Sequence, residues 1–219
     1  MATVNDVVKL HEELLRNYPG DLSVLEVLEI QAQTLFKEHG KGNPAVCVQI
    51  SNWFPALVGA GEDKILESTF SLKDARLTVA REHGFEDWRQ VKKKEMAKFD
   101  PEFENAANAV VGGEINTLKE LLVSRPGLSK QTSPYGHKAT LLLYVAANGV
   151  ETWRQKVPSN AVEITRMLIE TGADIEATAS VYGGQYNTMS LLMSSAHPAK
   201  AGLTEAIAAV LREATVRNN

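Results

Sequence analysis

The sequence predicts an all-α protein in two parts, a helical N-terminal region followed by a run of short helix hairpins. Three observations predict it. Apolar residues recur at helical spacing along most of the chain, most clearly over 161–177, where Ile164, Met167, Leu168 and Ile169 make a stripe that Gly172 is placed to end. The helices this pattern implies are short, and a short amphipathic helix cannot bury its stripe without a neighbour of similar shape. Aromatic residues make up only 6% of the chain, which suits packing by aliphatics and alanine between helices.

Composition narrows the function classes. The chain has 219 residues, 44% hydrophobic and 23% charged, enough for one continuous core or two small domains. The net charge of −4 argues against a nucleic-acid partner, which wants a basic face. Lys92-Lys93-Lys94 is the one basic run, and it falls where a helix should end, a place that suits cations. The single cysteine, Cys47, sits between Val46 and Val48 and reads as a buried, inert thiol. No stretch approaches the roughly 20 apolar residues that span a bilayer. The N-terminus carries early acidic residues in place of a secretory apolar core. A cytoplasmic protein without a membrane partner is expected.

In the N-terminal region, Asn5 or Asp6 is placed to cap a helix to about Arg16, with Val7, Leu10, Leu14 and Leu15 on its stripe. Tyr18-Pro19-Gly20-Asp21 breaks it. A longer helix follows, with Leu22, Leu25, Leu28, Ala32, Leu35 and Phe36 on one face. Asn43-Pro44 starts the next, with Pro at its first position, and carries Val46, Val48, Ile50 and Trp53. Ser71 with Asp74 has capping-box spacing, Leu72, Ala75, Val79 and Ala80 face inward, and Gly84 ends that helix. Glu86-Asp87 begins a helix bearing Trp88 and Val91. His11, His39 and His83 fall on or at the ends of polar helices and are expected to face solvent. Phe99-Asp100-Pro101 marks a boundary, giving an N-terminal region over 1–98 and a hairpin region over 99–219.

The hairpin region divides into about three units. In the first, Ala109 to Glu114 (A-V-V-G-G-E) ends one helix, and Leu118, Leu121 and Leu122 supply the second. The second unit starts at Tyr135-Gly136-His137 and continues through T-L-L-L-Y-V-A-A-N-G, 140–149. An insertion over 150–160 then precedes the 161–177 stretch. The third holds a helix near 187–193, a second insertion over 197–202, and a last helix with Ile207, Val210 and Leu211 inward. Gly183-Gly184 reads as a turn.

These residues carry a resemblance. The 140–149 string resembles the ankyrin pattern T-P-L-H-x-A-A-x-x-G, with Leu141, Leu143 and Val145 replacing Pro, His and Ala. The 161–177 stretch resembles an ankyrin second helix and outgoing loop. The string A-R-E-H-G-F-E-D-W-R-Q-V-K, 80–92, resembles the A-R-E-x-G-F-x-S-W-x-x-L-K signature of a bacterial family of ankyrin-repeat proteins with an N-terminal helical region, departing at Asp87 and Val91. The resemblance implies a short ankyrin-type solenoid of degenerate repeats, capped by the N-terminal helices into one body. It also implies a recognition scaffold whose partners bind the concave face and the hairpin tips.

The functional expectation follows. Both insertions and their flanking loops collect His137, Tyr144, Trp153, Arg154, Tyr182, Tyr186 and His197, in a chain otherwise poor in aromatics. Trp, Arg and Tyr together are the composition of binding hot spots, although the same aromatics could simply seal the loops. Catalytic signatures such as G-x-S-x-G and H-E-x-x-H are absent, and the five histidines form no recognisable metal set. The leading expectation is a non-catalytic interaction protein, needing no cofactor or metal, that binds a protein or peptide. The alternative is a small-molecule binder or enzyme with a pocket between the inserts, built on Tyr144, His137, His197 and Arg154.

Overall fold

The computed structural model describes residues 3–11 and 22–218. The protein is mostly helical, with one two-stranded antiparallel sheet. Among the described residues no helix is long and apolar enough to cross a membrane. The chain forms two compact units: unit 1 comprises residues 1–101 and 151–153, unit 2 comprises 102–150 and 154–219.

Unit 1 contains α1 (Val4–Leu10), α2 (Val24–Gly40), α3 (Val46–Trp53), α4 (Glu62–Leu66), α5 (Leu72–Glu82) and α6 (Trp88–Lys92). The first cap is Thr3, paired with Asp6 in a capping box, and not Asn5 or Asp6 as expected. The expected continuation of that helix through Leu14 and Leu15, and its break at 18–21, lie outside the described residues. α2 opens on a second box, Ser23 with Glu26, and buries Val24, Val27, Leu28, Ala32 and Leu35; Phe36, expected inward, is exposed. α3 starts at Val46, two residues later than expected, because the Asn43 side chain takes the Ala45 N–H at 3.0 Å and holds Pro44 in a turn.

α5 follows the sequence closely. Ser71 Oγ accepts the Asp74 N–H at 3.3 Å, and Asp74 accepts the Ser71 N–H at 2.9 Å. Gly84 (φ 75°) ends it, with the Phe85 N–H returning to the Ala80 carbonyl at 2.9 Å. Ser71→Ala is expected to cost about 1 kcal/mol, read as a shift in the urea midpoint; no shift would mean that water caps the helix equally well. Cys47 is buried as expected, and burial, with the Glu62 charge second, pushes its thiol up to about 11.

Unit 2 contains α7 (Pro101–Gly112), α8 (Ile115–Ser124), α9 (Leu141–Tyr144), α10 (Ala161–Glu170), β1 (Thr178–Val181), β2 (Gly184–Asn187), α11 (Thr188–Ser194), α12 (Ala196–Lys200) and α13 (Thr204–Asn218). One apolar core runs through it, from Phe103 and Leu118 past Leu141–Leu143 and Ile164 to Leu192, Ile207 and Leu211. α10 buries Ala161, Ile164, Thr165 and Leu168, a single helical face. Its end is a Schellman arrangement, with Gly172 at φ 92° and the Ala173 N–H reaching the Leu168 carbonyl at 2.9 Å.

Three expectations need correction. Residues 197–202 are not an open insertion, since most of them lie within α12 and the turn that closes it. The 150–160 insertion is not one exposed loop, since residues 151–153 are part of unit 1 and are buried there. Gly183-Gly184 is more than a turn, because it joins two strands that an all-helical reading omits.

Candidate functional site

In unit 1 the three histidines expected at the surface are all buried. His39 Nε2–H donates to the Ile65 carbonyl (2.8 Å), and its ring packs on Phe70 at 4.8 Å. His11 and His83 both pack against Trp153, with ring centroids 5.1 and 5.8 Å from its indole. A chain of polar contacts runs beside them. His11 Nε2 meets Gln49 Oε1 at 3.2 Å, and Gln49 Nε2 donates to Glu82 Oε2. The other Glu82 oxygen accepts the Thr152 N–H at 2.8 Å, and Thr152 Oγ1 accepts Trp53 Nε1–H at 3.0 Å.

Burial governs the charge states in this network. Burial pushes Glu82 up to about 7, against the pull of its Thr152 and Gln49 hydrogen bonds and helped by the neighbouring Glu151. Burial also lowers His11 to about 4, with the Gln49 bond acting the other way. Trp153, nominated as a contact residue, is 3% exposed and is a core residue of unit 1.

In unit 2, Arg154 has no exposure at all. Its Nε donates to Asn108 Oδ1 at 2.9 Å, and one terminal nitrogen donates to Glu104 Oε2 at 2.7 Å and to the Glu104 carbonyl at 3.2 Å. The guanidinium lies 5.3 Å over the Tyr144 ring, with the Tyr144 hydroxyl at 3.5 Å. Tyr144 and His137 are equally buried, their rings edge-on at 6.3 Å. His137 Nδ1 accepts the Ala139 N–H at 3.0 Å, and its carbonyl accepts the Ser180 N–H at 2.8 Å. His137 therefore braces this turn and ties it to β1. Nomination of Tyr144, Arg154 and His137 as surface contacts is corrected, because each satisfies a buried polar neighbour.

The remaining nominees differ. His197 sits on α12, half-buried, its imidazole lowered by burial and by Lys200. Tyr182 and Tyr186 are exposed by 61% and 38%, and both belong to the β1–β2 hairpin. Tyr182 (φ 52°) and Gly183 (φ 78°) occupy its two turn positions, the signature of a type I′ turn. A left-handed conformation is rare for an aromatic residue. The Tyr182 hydroxyl holds it there by donating to Asn148 Oδ1 at 2.8 Å, and Asn148 Nδ2 in turn donates to the Leu191 carbonyl at 3.2 Å and Ser194 Oγ at 3.1 Å. Tyr186 lies over Gly184, where a Cβ would come within 2.7 Å of its ring.

The hairpin has two unlike faces. Ala179, Val181 and Tyr186 share one, with Ala179 and Val181 buried. On the other, Gln185 bridges the strands, donating to Ser180 Oγ at 2.6 Å and accepting from Thr178 Oγ1 at 3.1 Å. Asn148 and Gln185 were missed in the sequence. The alternation T-A-S-V before Y-G-G and Q-Y-N after it was the available signal.

Among the described residues no group of three or more His, Cys, Asp or Glu could hold a metal ion. Comparison with protein-family models, with curated proteins and with solved structures finds no match.

Proposed function

We propose that the chain is a non-catalytic, cytoplasmic interaction protein that binds a protein or peptide through the β1–β2 hairpin. In this reading unit 2 is a short, degenerate ankyrin-type stack related to bacterial ankyrin-repeat proteins. Support for the stack comes from helices that pack in sequence order, α9 on α10 and α11, α10 and α11 on α13, around one shared core. Support for the binding role comes from one observation. Tyr182 is held in a costly backbone conformation with its hydroxyl bonded to Asn148, yet the residue is largely exposed, on the same hairpin as the part-exposed Tyr186. A turn that needed only to close would favour Asn or Gly here.

The small-molecule alternative draws no comparable support. Its proposed polar groups, His137, Tyr144 and Arg154, are sealed and engaged with neighbours.

Affinity capture with the intact chain, compared with Tyr182→Ala/Tyr186→Ala, tests the proposal. Loss of one specific partner in the double variant is expected, with the fold retained by circular dichroism. An unchanged set of captured proteins would overturn it.

A further inference from the structure

Resting on that reading, we propose that the partner contributes an extended peptide segment, which pairs through its main chain with the outer edge of β2 at Gln185 and Asn187.

The geometry of the hairpin supplies the argument. A two-residue turn makes Val181 and Gly184 a hydrogen-bonded pair, and pairs then alternate along the ladder. Ala179 with Tyr186 is therefore hydrogen-bonded, while Ser180 with Gln185 and Thr178 with Asn187 turn their main-chain groups outward. On the β1 side this is borne out by a contact already made, the Ser180 N–H donating to the His137 carbonyl at 2.8 Å. On the β2 side the equivalent groups are the Gln185 N–H and carbonyl and the Asn187 N–H. The Asn187 carbonyl begins α11, where Asn187 is the cap. Two donors and one acceptor thus point away from β1 at strand spacing. They can pair with an incoming strand as β1 pairs with the 137 loop.

The side chains specify that strand further. Residues flanking the one opposite Gln185 would lie on the Tyr186 face, where a half-exposed ring offers an apolar contact. The residue opposite Gln185 would meet the polar bridge of Thr178, Ser180 and Gln185. An alternating apolar–polar–apolar segment fits. A second copy of this chain fits less well: two four-residue strands bury far less than the roughly 1,200 Å² of a stable interface.

The test uses the full chain and a phage-displayed library of linear twelve-residue peptides. Selected peptides are expected to bind Gln185→Pro about tenfold more weakly, the loss that follows one main-chain hydrogen bond and its register. This proline removes an outward N–H and no main-chain bond of the hairpin; the side-chain bridge to Thr178 and Ser180 is lost in both substitutions, so Gln185→Thr controls for it. Gln185→Thr, which keeps the main chain, is expected to bind within about threefold of the original. In the wild-type complex, amide exchange at Gln185 and Asn187 is expected to slow about tenfold or more. If Gln185→Pro fails to fold, the exchange measurement decides alone. Unchanged exchange at both amides, or equal binding by a folded Gln185→Pro, overturns strand pairing. Failure to select any peptide while a folded partner is still captured through Tyr182 and Tyr186 also overturns it, and leaves the broader proposal standing. Capture indifferent to both tyrosines would instead remove the broader proposal.

Discussion

Arg154→Ala is expected to lower stability by about 3–5 kcal/mol, the usual loss when one partner of a buried ion pair is removed. The guanidinium has no exposure, and Glu104 has 1%. Its hydrogen bonds point in different directions, to Asn108, to two oxygens of Glu104 and toward Tyr144. Truncation leaves the Glu104 carboxylate buried without its cation, and it opens a cavity beside the Tyr144 ring. Arg154→Lys is expected to recover little, because one ammonium cannot reproduce a planar fork that serves Asn108 and Glu104 together. Arg154→Met combined with Glu104→Leu is expected to recover most of the loss, since apolar groups of similar volume carry no desolvation cost. Urea unfolding followed by circular dichroism checks all three. A loss for Arg154→Ala below about 1 kcal/mol would show that water reaches the site and solvates Glu104.

The second large effect concerns pH. Glu82, with an ordinary value of 4.5, titrates near 7 in the folded chain, so the folded state holds its proton more tightly than the unfolded state does. Stability from this group is greatest below about 4.5, falls as pH rises toward 7, and is level above that. His11 moves the other way. Its value falls from 6.5 to about 4, so the unfolded state binds its proton more tightly, and stability rises with pH across that window. Gln49 joins the two groups, the windows nearly coincide, and the slopes oppose. Each amounts to about 3 kcal/mol over its window. In the wild type the two nearly cancel.

Single substitutions are expected to uncover each slope. Glu82→Gln leaves that of His11, so its stability relative to wild type should climb by about 3 kcal/mol between pH 4 and 7. The Gln49 amide can flip to serve the new side chain. His11→Gln leaves that of Glu82, and its relative stability should fall by a similar amount over the same range. Differences from wild type cancel the surface carboxylates, among them Asp6 and Glu29, whose hydrogen bonds hold them low. Parallel curves for wild type and Glu82→Gln would sink this account.

The sequence carried local features well and distant ones poorly. Ser71, Gly84 and Gly172 were legible because caps and stops are decided by residues three to five apart. The helical faces of α5 and α10 followed from spacing alone. His11, by contrast, finds its acceptor 38 residues away, and Glu82 finds Thr152 at 70. No periodicity encodes such a partner, so a histidine at the end of a polar helix reads as solvated. Trp153 and Arg154 failed for a related reason. The composition of a hot spot is also that of a sealed aromatic beside a buried ion pair, and only the location of Glu104 separates the two. The β1–β2 hairpin was hidden because Tyr182 occupies a turn position where Asn or Gly would have announced it.

Thr152 and Trp153 complete unit 1 although nearly fifty residues of unit 2 come before them in the chain. During synthesis residues 1–101 therefore leave the ribosome with the place of the indole beside His11 and His83 still vacant, and with Glu82 lacking its backbone donor. The amino-terminal portion cannot finish folding in order of emergence. It must wait, held short of its final packing, while α7, α8 and α9 are translated.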